Sequence, residues 1–416
     1  MRRRSVLALL GVASLSISTA NAQAPAAPAE IKIGHPYAGS GPYASISMPV
    51  YLGLKLWVDR VNADGGAFVK PFNKKIPLKL IAYDDQSSTA TAATLVNQLI
   101  TQDKVDMLVS DSGSVLTSVA VPIAREHKQL LFNPTGTGAA FFTKDNPYIA
   151  LLADPASTVW PKYISEFLGA SAKSNGIKRV AILYATNDFT GTQATTIRNY
   201  VKAHADTGLE IVYDQGIPTA TSNYTVIINN IAAANPDAVL ALGYVGNDIA
   251  FLRNLQDSGQ KFPFLFMLYP GIEKEEVLKN VGGAGLDGVF TYVTSNEIEY
   301  KPNFGMTAQE YKDAWHKTYP DGKYEFGFNA IAGYTVGLVL ERTLATTESM
   351  DQLALRSAVH GLSGKLTTLD GSFELDPETG AQLGEITPVG QLRADGRVDV
   401  VWPPELATGK PVFGKK

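Results

Sequence analysis

Residues 105–137 read VDMLVSDSGSVLTSVAVPIAREHKQLLFNPTGT, and the reading of this stretch decides the fold. The apolar run Val105 to Val109 predicts a β-strand, the segment over about 115–126 a helix, and Leu130-Leu131-Phe132 the next strand. A strand, a helix and a strand in that order make a parallel βαβ unit. Small polar loops follow both strands: Ser112-Gly113-Ser114 after the first and Pro134-Thr135-Gly136-Thr137 after the second. A third loop of the same kind, Ala38-Gly39-Ser40-Gly41-Pro42, lies near the start of the chain. In an open α/β sheet, ligands bind beyond the carboxyl ends of the strands. Small residues there let backbone N–H groups approach a ligand, and hydroxyls add donors. Three such loops predict a small-molecule cleft, suited to an anionic group.

The same alternation extends in both directions. Upstream, Ile31-Lys32-Ile33 and Leu78 to Tyr83 are expected strands. Val50, Leu54, Trp57 and Val61 recur at helical spacing between them, and Leu95, Val96, Leu99 and Ile100 mark the following helix. Downstream the pattern restarts with a strand at Arg179 to Tyr184, then strands at Glu210 to Tyr213, Ala238 to Leu242 and Phe264 to Met267. A helix with Ile197, Tyr200, Val201 and His204 on one side follows the first of these, and further helices are expected near 222–234 and 247–258. The chain therefore reads as two similar α/β lobes with parallel sheets joined by a hinge, and not as one long sheet. Gly288 to Tyr292 is an expected strand at which the chain returns to the first lobe, with helices near 307–318 and 327–345 after it. The Gly/Pro/Asp-punctuated residues 363–405 are expected to be short strands of the second lobe. The expected division is 30–151 plus 288–362 for the first lobe and 152–287 plus 363–405 for the second, with 406–416 as a tail.

Composition narrows the function. The 416 residues are 45% hydrophobic and 18% charged, and there is no Cys. Disulfides, thiolate metal sites and cysteine nucleophiles are excluded. Residues 1–22 read as an export signal: Arg2-Arg3-Arg4 is basic, Val6 to Ala20 is apolar, and Ala20-Asn21-Ala22 predicts cleavage after Ala22. Arg3-Arg4-Ser5-Val6-Leu7 weakly resembles a twin-arginine signal, but a basic start alone explains the arginines, so general secretion to the periplasm is the expectation. Residues 23–29, rich in Ala and Pro, read as a flexible tether. Residues 1–22 carry three Arg and no acid, so the formal charge falls from −4 to −7 without them. That mildly acidic body, with no basic patch interleaved with aromatics, argues against nucleic-acid binding. After the signal, no apolar run approaches the ~18 residues of a membrane span.

As a set, the local sequences resemble one family. The residues that carry the resemblance are Ile31-Lys32-Ile33-Gly34, Ser40-Gly41-Pro42, Val61-Asn62-Ala63-Asp64-Gly65-Gly66 and Ala82-Tyr83-Asp84-Asp85. Gly113-Ser114, Asn133-Pro134-Thr135-Gly136-Thr137 and Gly243-Tyr244 complete the set. In order and spacing they resemble the periplasmic leucine/isoleucine/valine-type binding proteins, the type I solute-binding subunits of ABC importers, over about residues 30–405. The resemblance implies two Rossmann-like lobes joined by three crossover strands, a ligand between them, a membrane permease as partner and a monomeric state. It implies no cofactor and no catalysis. It places the ligand carboxylate on Ser114, Thr135 and Thr137, and aromatic cover from the second lobe on Phe189 and Tyr244. Hydroxyls and amides at helix starts suit a carboxylate, because the helix dipole favours negative charge there.

One departure bears on the ligand. Amino-acid binders of that family hold the ammonium with acids of the second lobe, and Phe266-Met267-Leu268-Tyr269-Pro270-Gly271 has none. Asp154 is the candidate for the other acid. The ligand is then either an amino acid, branched-chain or other, or an amine-free aromatic or organic acid. Tyr37, Tyr43, Phe189, Tyr244 and Tyr269 would suit a flat apolar ligand, although aromatic faces also hold cations.

Other readings carry less. Gly283-Ala284-Gly285-Leu286-Asp287-Gly288 matches G-x-G-x-x-G but follows a predicted helix (Glu275 to Asn280) and leads into a strand, the reverse of a dinucleotide site, and reads as a loop. The five His lack metal-ligand spacing, and His35, just past the first strand, reads as structural. Asp84-Asp85 reads as a pair of solvated acids in a strand-end loop. Two rivals remain: a periplasmic ligand sensor of the same fold that signals to a separate receptor, and an exported α/β hydrolase, for which no nucleophile motif is present.

Overall fold

The structure, a computed structural model, describes residues 26–414 apart from positions 296 and 325. The export signal and its cleavage site lie outside the described residues. The first lobe begins with β1 (Ile31–Tyr37) and α1 (Ala44–Ala63), then a small hairpin of β2 (Ala67–Val69) and β3 (Lys74–Ile76). It continues through β4 (Leu78–Asp84), α2 (Thr89–Thr101), β5 (Met107–Val109), α3 (Gly113–Glu126), β6 (Leu131–Asn133) and β7 (Ile149–Leu151). These strands form a parallel sheet in the order β4-β1-β5-β6-β7.

The second lobe begins with α4 (Lys162–Ser174), β8 (Arg179–Ala185), α5 (Asp188–Ala203), β9 (Glu210–Ile217) and α6 (Thr225–Ala233). It continues with β10 (Ala238–Leu242), α7 (Val245–Ser258), β11 (Phe264–Met267), α8 (Lys274–Val281), the single turn α9 (Gly283–Leu286) and β12 (Phe290–Tyr292). The chain then returns through α10 (Ala308–Thr318), α11 (Phe328–Thr346), α12 (Gln352–His360) and a hairpin of β13 (Leu366–Thr368) and β14 (Gly371–Phe373). Finally β15 (Val389–Leu392) and β16 (Val398–Trp402) add to the second sheet, whose order is β16-β15-β12-β11-β10-β8-β9. Its β8–β12 strands are parallel, while β15 and β16 run antiparallel at the edge.

All five residues of β10 and all four of β11 are buried. Helices covering both faces of a parallel sheet demand continuous apolar strands of this kind. The first lobe is held by α1 against α11. Gly53 on α1 faces the backbone of Ala330, and Gly333 on α11 faces the backbone of Val50, so each helix lies where a side chain would not fit.

Three expectations are corrected. The strand expected at Gly288–Tyr292 is β12, paired with β11, so the chain has not returned to the first lobe at 288; it does so at α10, whose Tyr311 and Trp315 join the first-lobe core. Residues 366–375 belong with that same core and not with the second lobe, because Leu366, Leu369, Phe373 and Leu375 pack among the apolar residues of α11 and α12. The Gly-rich stretch at 283–288 is not wholly a loop, since Gly283–Leu286 forms a helical turn before the strand. The chain crosses between the lobes in the segments 152–161, 293–307 and 376–388.

Candidate ligand-binding cleft

Each sheet reverses its strand order once. In the first sheet the reversal falls between β1 and β5, and in the second between β8 and β10. A crevice opens beyond the strand ends at such a switch point. The two crevices face each other, and a cavity lies between them.

The first lobe supplies Gly113 and Ser114 at the start of α3, Thr135 just past β6, and Ile46 of α1. Gly113 has φ of +75°, which lets the chain turn from β5 into α3. Its amide donates to the Thr135 hydroxyl at 2.9 Å. The Ser114 hydroxyl accepts from the Gly138 amide at 3.0 Å. These bonds tie the loops after β5 and β6 together. The N-cap Ser112 makes no side-chain cap, so the amides of α3 that follow Gly113 gain no acceptor from it.

The second lobe supplies Phe189 from the start of α5, Tyr244 at the N-cap of α7, and Tyr269 and Ile272 after β11. The Asn187 carboxamide caps α5 by accepting from the Phe189 and Thr190 amides at 3.0 and 3.1 Å. The Asn247 side chain accepts from the Tyr244 amide at 3.1 Å, and Asp248 accepts from the Tyr269 amide at 2.9 Å. Burial pushes the Asp248 carboxyl up to about 8 against the backbone donors Tyr269 and Leu268. The rings of Phe189 and Tyr269 each lie 5.8 Å from that of Tyr244. The Tyr244 hydroxyl reaches across to the amino end of α3, 3.7 Å from the position a Cβ on Gly113 would take. It is buried without a hydrogen-bond partner. Burial raises its pKa, the neighbouring Tyr43 adds to this, and the amides of Ser114 and Val115 oppose it.

The crossing segments supply Asp154 and Trp160, and the start of α11 adds Phe328 and Asn329. Asp154 is the one charged side chain among the lining residues. It is 5% exposed, and its Oδ1 has no partner. Burial raises its pKa well above the carboxylate range, and the charge of Asp370 raises it further. Asp370, pushed up to about 7 by burial, and Glu385, raised by burial and then by Asp370, stand behind it.

Of the seven residues singled out in the sequence, the cavity brings together Ser114, Thr135, Asp154, Phe189, Tyr244 and Tyr269. Thr137 is not among the lining residues. Its hydroxyl is buried in a 2.7 Å hydrogen bond with Ser157, which pins the loop after β6 to the first crossing. Tyr37 stacks on Tyr51 at 4.2 Å instead, and Tyr43 meets Tyr244 edge-on at 5.7 Å. His35 is buried and its pKa falls to about 4 by desolvation. Asp85 is not solvated as expected but fully buried. Trp160, Phe328, Asn329, Ile46 and Ile272 were missed. Trp160 sits on a lobe connection, whose course no local pattern announces. No acid occupies 266–271, but Glu273, two residues on, is buried and accepts a hydrogen bond from Asn329.

Two α/β lobes linked by three crossings, with a cavity built from both switch points, define a two-lobed ligand-binding protein. A family model described as a periplasmic binding protein matches residues 30–397, and the chain belongs to that family. The Leu/Ile/Val-binding protein homolog 7 of Brucella abortus is 23% identical over 409 residues, covering 94% of this chain and 97% of the relative. Homolog 8 of Brucella suis is 24% identical over 415 residues, covering 98% and 99%. Among solved structures, the branched-chain amino acid transporter substrate binding protein LivJ of Streptococcus pneumoniae, in complex with isoleucine, superposes with a TM-score of 0.72. It is 20% identical and covers 90% of this chain and 100% of its own. An ABC transporter solute binding protein of R. palustris in complex with benzoate gives 0.71 at 19% identity, covering 89% and 95%. At those identities the structures bear on the fold alone. Among the described residues, no helix is long and apolar enough to cross a membrane.

Proposed function

We propose that the protein is the extracytoplasmic solute-binding subunit of an ABC importer and captures a small carboxylate ligand between its lobes. In this reading it is exported by residues 1–22, works in the periplasm as a monomer without cofactor or catalysis, and hands its ligand to a membrane permease. The observation that carries the reading is the meeting of the amino end of α3, with Ser114 and Thr135, and the Phe189-Tyr244-Tyr269 wall in one buried cavity. Helix amides attract a carboxylate, and hydroxyls complete its hydrogen bonds. The aromatic wall covers the rest of the ligand and excludes water. Closure of the second lobe over the first shifts the open–closed population in proportion to the ligand's preference for the closed form.

Asp154 favours a ligand that also carries an ammonium. Its unpartnered oxygen lies in the same cavity as the carboxylate anchor, and a buried carboxylate is relieved only by a donor or a cation. A second reading, an amine-free aromatic acid, draws on the aromatic lining and on a protonated Asp154 that donates to the ligand. A thermal-shift screen of residues 23–416, unfolded and refolded to remove carried-over ligand, separates them. Isoleucine, leucine and phenylalanine form one arm, and benzoate and 4-hydroxybenzoate the other. A true ligand at 100 times its Kd stabilises by about 2.7 kcal/mol. Shifts in the first arm support the amino-acid reading, shifts in the second support the amine-free reading, and a shift in neither rejects the carboxylate site.

A further inference from the structure

Two buried carboxyls lie outside the cavity, directly behind the carboxylate anchor. Asp85 follows β4 and Asp111 follows β5, and both are at most 1% exposed. Asp111 immediately precedes Ser112, Gly113 and Ser114. Its Oδ1 accepts from the Ser112 amide at 2.6 Å and from the Ser47 hydroxyl. Ser47 in turn accepts from the Ala38 amide at 2.8 Å, and the Asp85 Oδ1 accepts from the Ser87 amide at 2.9 Å. The second oxygen of each carboxyl finds no donor elsewhere, and the two side chains meet each other. Two carboxyls can hydrogen-bond only when one of them carries a proton.

Among the described residues, no base shifts either carboxyl. On β1, His35 is neutral near pH 7, since burial lowers its pKa to about 4. On β4, Asp84 adds a negative charge beside Asp85 and is itself held by the Gly39 and Gln86 amides at 2.8 Å. From α1 and α3 come only the neutral hydroxyls of Ser47 and Thr117, the latter bonded to the Asp111 carbonyl at 2.9 Å. Burial raises the pKa of both carboxyls, and for Asp111 the charge of Asp85 is the next cause.

We propose that Asp85 and Asp111 share one proton and act as a positioning pair for the ligand anchor at the amino end of α3. Through Ser47, Ser87 and Ser112 the pair joins the loops after β1, β4 and β5 into one rim. The shared proton also keeps the rim at a single negative charge. A second charge there would oppose the helix end that faces the ligand carboxylate. That last consequence rests on the carboxylate reading above; the shared proton does not, and its test needs no ligand.

The test compares thermal unfolding of the ligand-free wild type, Asp85→Asn and Asp111→Asn between about pH 5 and 9. An Asn amide donates the same bond with no proton to lose. A proton held in the folded pair and absent from the unfolded chain makes the wild type lose stability relative to either variant as pH rises, by up to about tenfold in the unfolding equilibrium per pH unit. Unfolding curves that shift in parallel with pH for wild type and both variants overturn the shared proton. Positioning is read separately from the Ser112 amide signal in 15N-serine-labelled protein. It should stay at its wild-type place in Asp85→Asn and move in Asp85→Ala. A Ser112 signal unmoved in Asp85→Ala overturns the positioning role.

Discussion

The Thr135 hydroxyl accepts a 2.9 Å hydrogen bond from the Gly113 amide, joining the ends of β6 and β5 at the mouth of the cavity. That bond uses one lone pair of the hydroxyl and leaves its own proton to point at a ligand oxygen. Thr135→Val keeps the shape and removes both. The expected result is a loss of at least about tenfold in affinity, or ~1.4 kcal/mol, for whichever of isoleucine or benzoate binds the wild type. Calorimetry on both proteins measures it. Unchanged affinity would move the carboxylate away from this loop.

Tyr244 separates binding from stability. Its hydroxyl is buried and unpartnered, and an unsatisfied buried group costs about 1–3 kcal/mol. Tyr244→Phe should therefore melt no lower than the wild type without ligand, while ligand affinity falls. A variant that loses stability but keeps affinity would make the hydroxyl a structural group whose partner the closed cavity supplies.

Asp154 sets a pH dependence with a definite sign. Its folded pKa is raised by burial and then by Asp370, so the proton it holds in the folded state is lost from the unfolded chain above about pH 4. Its stabilising contribution is complete below that pH and disappears as pH rises toward the folded pKa. Asp370, with a folded pKa of about 7, does the same between about pH 4 and 7. Within such a window one group costs up to about 1.4 kcal/mol per pH unit. Asp154→Asn should gain on the wild type as pH rises, seen in melting curves at successive pH values. If the ligand carries an ammonium, the same variant should lose affinity for isoleucine by more than tenfold. An Asp154→Asn protein that binds isoleucine as tightly as the wild type would show that Asp154 does not hold the ammonium.

How far the sequence carried these residues follows from what kind of order placed them. Ser114, Thr135, Phe189 and Tyr244 follow β-strands whose apolar runs are local and continuous, so both the strands and the loops after them could be read directly. Trp160 reaches the cavity only because the chain crosses between lobes, and a crossing is a tertiary event with no periodicity of its own. Asp85 looked like a surface acid because it stands in a polar loop. It is buried, and its neighbour Asp111 stands 26 residues away in sequence. The first-lobe placement of Leu366 and Phe373 was hidden for the same reason: turn residues surround them, and only packing on α11 and α12 assigns their lobe. Thr137 shows the limit of reasoning by resemblance, since its hydroxyl is bonded to Ser157 and it does not line the cavity.

The last prediction concerns the frame that holds the first lobe's half of the site. Ile46 on α1 and Phe328 and Asn329 on α11 both line the cavity, so the distance between these helices sets its width. That distance is set by glycine. A Cβ on Gly333 would collide with the backbone oxygen of Val50, and one on Gly337 with the ring of Trp57. Backbone cannot yield as a flexible side chain can, so Gly333→Ala must push α11 away from α1. Helix propensity alone would favour Ala by about 1 kcal/mol, whereas overpacking costs about 1–3 kcal/mol and occasionally more. Because the collision is with main chain, the second effect should win, and Gly333→Ala should melt several degrees lower than the wild type. Gly191, on α5 with open space around its Cβ position, is the control: Gly191→Ala should melt at the wild-type temperature or above it. If Gly333→Ala were as stable as Gly191→Ala, the close approach of α1 and α11 would not be what sets the cavity, and the width of the cleft would have to come from the crossings instead.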